Sequence, residues 1–135
     1  MDAVRFARVV FTVAGVYGIL VLFPGYFMEA RVGIDHPPAI THAEYYYGFI
    51  GIGLAWQVVF LMIGRDPLRH RPLMLAAVLE KVGFGIPVAM LYAQAQVAGA
   101  VFAFSLVDWL LGVGFALAYW KTRTAKLFDG RIPGA

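Results

Sequence analysis

Four polar side chains, Gln57, Glu80, Lys81 and Asp108, fall inside stretches otherwise made of aliphatic and aromatic residues. Each stretch is long enough to be a membrane helix, where ionisable groups are costly unless paired, hydrated or used. Two carboxyls, an ammonium and a carboxamide can hold a proton, an ion, or the amine or hydroxyl of a small ligand. Paired carboxyls can also act as acid and base in a lipid-modifying enzyme, although no nucleophile–base pair accompanies them here. Successive residues on a helix point about 100° apart, so Glu80 and Lys81 are each expected to find a partner on another helix. At about 1.5 Å per residue from the basic helix ends, Gln57 lies ~10 Å deep, Glu80 ~12 Å, Lys81 ~14 Å and Asp108 ~18 Å. These heights pair Glu80 with Gln57 and Lys81 with Asp108.

Helical spacing places the four groups on small-residue faces. Glu80 shares a face with Ala76, Gly83 and Pro87, Asp108 with Ser105 and Gly112, and Gln57 with Gly53 and Gly64. Small residues let helices approach closely, so these stripes are expected to face a bundle interior. Two plainer readings stand beside the functional one. Buried polar groups can simply join helices by hydrogen bonds, and Lys81 can snorkel toward the N-terminal side of its helix.

The histidines lie in connections. Asp35, His36, His42 and Glu44 cluster in one loop, where His36 and His42 come nearest to a metal pair. Their spacing matches no established site, so no metal is expected. The chain has no cysteine, which removes disulfides, thiol redox chemistry and Cys-based zinc or iron–sulfur sites. A phosphate-cradling G-x-x-x-x-G-K-[ST], a dinucleotide G-x-G-x-x-G and an H-E-x-x-H motif are all missing, and no cofactor is expected.

The elements that must position the four groups follow from composition. Hydrophobic residues make up 61% of the 135-residue chain and charged residues 14%, against roughly 45–50% and about 25% in soluble domains. The excess sits in four runs. The pattern predicts an all-α fold, a single four-helix membrane domain with helices over 3–23, 42–63, 72–96 and 100–120 and a basic tail over 121–135. Asp2 is placed to cap the first helix and Pro24 to end it. No small-x-small site follows this first span, which is therefore read as uncleaved. A polar loop follows, containing Pro37-Pro38. Thr41 and Glu44 fit a capping box, with Ile40 and Tyr45 as its hydrophobic staple, so the second helix is expected to start at His42. Gly64 is the natural residue to close it. Asp66-Pro67 reads as a cap and first helical position, and Val97-Ala98-Gly99 as a tight turn.

Nine of the 11 lysines and arginines fall in the N-terminal end, the 64–71 connection and the tail; Arg31 alone lies in the opposite connections, and Lys81 lies within a span. That asymmetry predicts both termini in the cytoplasm, and it accounts for the net charge of +3 without a nucleic-acid partner.

Arg8 before the first span, Pro24-Gly25 at its end, Tyr46-Tyr47-Gly48-Phe49, and the stretch from Asp66-Pro67 to Leu79-Glu80-Lys81 give the chain a layout that resembles the DoxX-like small bacterial membrane proteins. The resemblance covers most of the chain and implies a multi-pass bundle in the bacterial inner (plasma) membrane. It carries over no catalytic residue. Glu80 and Asp108 also echo the acidic pocket of sterol-isomerase-like and sigma-receptor-like four-helix proteins, without their surrounding motif. Small multidrug transporters share the helix count but depend on an acidic residue in the first helix, which this first helix lacks. The function expected from sequence is a non-enzymatic bundle in the lipid bilayer, as a homo-oligomer or a partner subunit. The alternative is binding or transport of a small lipophilic or cationic ligand through Glu80, Lys81, Asp108 and Gln57.

Overall fold

A computed structural model describes residues 1–129, with side chains described through residue 125. Its elements are α1 (Ala3–Leu22), a 3-10 turn (Phe23–Phe27), α2 (Glu29–Asp35), α3 (Ala43–Arg65), α4 (Leu73–Ala93) and α5 (Gly99–Asp129). The described residues are helical with no strand. Four segments are long and apolar enough to cross a membrane: Ala3–Phe27, Ala43–Arg65, Leu73–Ala93 and Gly99–Ala125.

Local chemistry sets most boundaries. The Asp2 carboxylate accepts a hydrogen bond from the Arg5 N–H at 2.7 Å, satisfying one of the free donors at the start of α1. Pro24 converts the end of α1 into the tighter 3-10 turn rather than a break. The connection expected as a polar loop holds the short helix α2, closed by an Arg31–Asp35 pair one helical turn apart (2.8 Å). The Pro37–Pro38 peptide bond that follows is cis.

Four boundary expectations need correction. The capping box does not form: α3 starts at Ala43, His42 precedes it without a side-chain cap, and Glu44 turns to the His42 ring (3.2 Å). A carboxylate two residues from an imidazole has a nearer partner than the backbone amide it would have reached. Gly64 does not close α3 either. The helix runs on to Arg65 and stops at Asp66, whose backbone is extended (φ −140°, ψ 83°), as the residue before a proline prefers. Asp66 then accepts from the Arg69 N–H at 3.2 Å. Third, α4 ends at Ala93 instead of 96. Ala95 takes a left-handed φ of 55°, the Gln96 N–H reaches Leu91 O (2.8 Å) and the Ala95 N–H reaches Tyr92 O (3.0 Å). That pair of bonds is a Schellman closure, with alanine where glycine is usual. The fourth long helix extends past Trp120, so most of the expected tail is helical; Pro133-Gly134 lie outside the described residues.

The long helices run antiparallel to their packed neighbours. A Cβ on Gly64 would meet Thr12 N and Arg8 O, one on Gly18 the Gln57 side chain, and one on Gly53 the Leu22 side chain. These contacts give the α1/α3 register. Likewise Lys81 lies beside Gly112 and Trp109 beside Gly85, while Tyr92 stacks on Phe102 at 4.3 Å. α1 and α5 join the two pairs through Phe11 and Phe115, stacked at 4.2 Å. α3 and α4, although consecutive among the long helices, meet only sparingly. The bundle is thus two tight helix pairs joined along one side.

The core is small and lies toward the end of the bundle that carries the N-terminus. Phe11, Phe60 and Phe115 are fully buried there with Ile63 and Met74. The exterior is apolar all round: Leu20, Ile52, Leu79 and Leu110, one from each long helix, are each at least 66% exposed. So large an apolar surface has no place in water and suits lipid.

Candidate functional site

Above the phenylalanine core the two helix pairs enclose a cavity of about 210 Å³. Every long helix contributes to its wall: Gly18 from α1, Gln57 from α3, Glu80 and Lys81 from α4, and Asp108 from α5. The four polar residues singled out in the sequence therefore line one space. Apart from Tyr17 of α1, the rest of the wall is apolar, including Phe49, Phe84 and Phe104.

Lys81 is the hub. Its Nζ donates to Asp108 Oδ1 at 2.7 Å and lies 3.1 Å from Glu80 Oε2 and 3.5 Å from Glu80 Oε1. The Lys81 side chain is 7% exposed and the two carboxylates about 20%. Gly112 makes this possible: a Cβ there would lie 3.2 Å from Lys81 Cβ, so the lysine stem rests directly against α5. The ammonium also sits 5.3 Å above the Phe60 ring, a favourable placement for a cation over an aromatic face. The Lys81–Asp108 pairing matches the expectation from helix depth. Lys81 does not snorkel, because its head is held by Asp108 and the Phe60 ring stands below it.

The expected Glu80–Gln57 pairing does not occur. Gln57 Nε2 donates to Gly53 O on its own helix at 2.9 Å, and its carboxamide fills the notch left by Gly18. Glu80 turns instead to its sequence neighbour. Cβ atoms 100° apart do not face each other, but four methylenes let the lysine head swing back to a carboxylate that its Cβ points away from. Both carboxylates thus share one ammonium. With all three ionised the cluster carries a formal charge of −1. Glu80 Oε2 is buried and receives no hydrogen bond, since Lys81 approaches it off-axis.

His36 and His42 lie apart from this site. His36 ends α2 and is exposed, and His42 faces Glu44. Among the described residues no three His, Cys, Asp or Glu side chains gather in a metal-binding set. The apolar wall was not legible in sequence. Phe49, Phe84 and Phe104 look like any lipid-facing aromatics, and only the small-residue spacing around Gly53 and Gly112 carried a signal.

No family model, no curated protein and no solved structure matches this chain.

Proposed function

We propose that this chain is a multi-pass membrane protein that binds a small lipophilic molecule carrying an amine or hydroxyl head, without transforming it. The observation that carries this reading is the cavity wall at Glu80, Lys81 and Asp108: two carboxylates share one ammonium, a cluster one positive charge short of neutrality with all three ionised, beside apolar space. A cationic amine supplies the missing positive charge, and the apolar wall suits its hydrocarbon. A role in packing alone gives no use to an open cavity at the costliest polar cluster of the bundle. The DoxX-like layout belongs to the same reading as its family context and adds no catalytic group.

Native mass spectrometry of the purified protein with dodecylamine, 1-dodecanol and dodecanoate tests it. The amine is expected to be retained best and the acid least. Glu80→Gln keeps the shape and removes the charge, and should weaken dodecylamine retention about tenfold or more, the worth of one charge-assisted hydrogen bond. Equal retention by the variant would remove Glu80 from the site.

The membrane setting is part of the proposal. Basic residues at one end of the bundle and the even number of long helices support an inner-membrane protein with both termini cytoplasmic. Reporter fusions after Gly99 should read outside and fusions after Arg131 inside. The reverse pattern would overturn the orientation.

A further inference from the structure

We infer that the ligand enters and leaves the cavity sideways from the bilayer, through the seam between α3 and α4, with Phe49 and Phe84 as its gate. This rests on the binding reading above and adds the route and the class of ligand: a single-chain amphiphile whose tail remains in the seam.

Size sets the first constraint. A cavity of about 210 Å³ holds roughly seven groups of water size, at about 30 Å³ each. That is room for a polar head and a short stem, not for a long hydrocarbon chain, so a chain bound by its head must leave through a wall. Toward the N-terminal end the way is shut by Phe11, Phe60 and Phe115, all fully buried. The α1/α3 and α4/α5 walls are closed by close helix contacts at Gly18 and Gln57 and at Gly85 and Trp109. The α3/α4 side is different. The helices barely touch, and Phe49 and Phe84, ring centroids 5.9 Å apart, bridge the gap beside the cavity.

The helix that carries Phe84 is weak where it must give. Gly83 and Gly85 flank Phe84, and Pro87 has no N–H to donate to the Gly83 carbonyl. Gly48 precedes Phe49 on the opposite side. A Cβ at Gly48 or Gly83 would meet nothing within 4 Å, so neither glycine is there to admit a neighbouring helix. Their contribution is local freedom of the backbone behind each gate ring. Phe49 is 53% exposed on the apolar exterior, so the gate faces the hydrocarbon in which a lipophilic amine would dissolve.

The test exploits the absence of native cysteines. Phe49→Cys/Phe84→Cys is placed in phosphatidylcholine nanodiscs, loaded with dodecylamine, and bridged with a short bis-methanethiosulfonate linker. Exchange against deuterated dodecylamine is followed by native mass spectrometry. Bridging should slow exchange at least tenfold, and reduction of the linker should restore it. A second bridge, Tyr92→Cys/Phe102→Cys, crosses the well-packed α4/α5 pair and should leave exchange unchanged. Phe84→Ala alone should speed exchange severalfold, which keeps the idea testable should the double variant not fold. Unchanged exchange in the Phe49/Phe84 bridge, equal slowing by the control bridge, or no acceleration in Phe84→Ala would each overturn lateral entry. In those cases loss of dodecylamine on Glu80→Gln would still stand for the binding site itself. Failure of the unbridged protein to retain dodecylamine would overturn both.

Discussion

Lys81→Met is expected to lower the stability of the detergent-solubilised protein by about 3–5 kcal/mol, the usual cost of stripping one partner from a buried ionic cluster. The lysine head neutralises both Asp108 at 2.7 Å and Glu80 at 3.1 Å. Methionine keeps the stem volume against Gly112 and leaves two carboxylates facing each other in a nearly closed space. Asp108→Asn should cost much less, because Glu80 still compensates the ammonium. The double variant Lys81→Met/Asp108→Asn should recover part of the lysine loss, since only one carboxylate then stays uncompensated. Thermal denaturation of the four proteins closes a double-mutant cycle. Strictly additive losses would show that Lys81 and Asp108 do not interact.

Gly64→Leu should be comparably damaging, for a steric reason. Here α3 lies against the backbone of α1: a Cβ on Gly64 would sit 3.1 Å from Thr12 N and 3.3 Å from Arg8 O. The Thr12 hydroxyl, closer still at 2.5 Å, can rotate away, but the main chain cannot. The helices must part, and membrane helices that associate by close packing have no hydrophobic term to replace the lost contact. A loss of about 3 kcal/mol is expected for leucine and about 1 kcal/mol for alanine. Wild-type thermal stability in Gly64→Leu would mean that α1 and α3 do not touch at this level.

These two positions show what the sequence could and could not reveal. The four apolar runs and the depths of Lys81 and Asp108 were readable because helix rise is constant and charge in hydrocarbon demands a partner. Gly64 was readable in two roles, as a helix terminator and as part of a small-residue contact face, and the structure keeps only the second. A glycine near a helix end fits a terminator and a contact point equally well, and only the proline at 67 decides which. The capping box failed because Thr41 and Glu44 satisfy a pattern without regard to His42 between them. Glu80 was assigned to Gln57 because Cβ directions were used for a side chain whose head can travel farther than its Cβ suggests. The α3/α4 gap left no mark at all, since composition does not distinguish an aromatic ring facing lipid from one closing a gate.

The floor of Phe11, Phe60 and Phe115, in which Phe60 tilts against the stacked pair Phe11 and Phe115, has a consequence for the energetics of a host membrane. In the proposed orientation it is an insulating plug between the cavity and the cytoplasm, with rings 4.2 to 6.1 Å apart and no exposed edge for a file of water to follow. On the proposed reading, a proton taken up by Glu80, Lys81 or Asp108 would find no path through this floor. On the proposed binding reading, loading and unloading of the cavity would draw no current through this floor, and the electrochemical gradient across the membrane would be left intact.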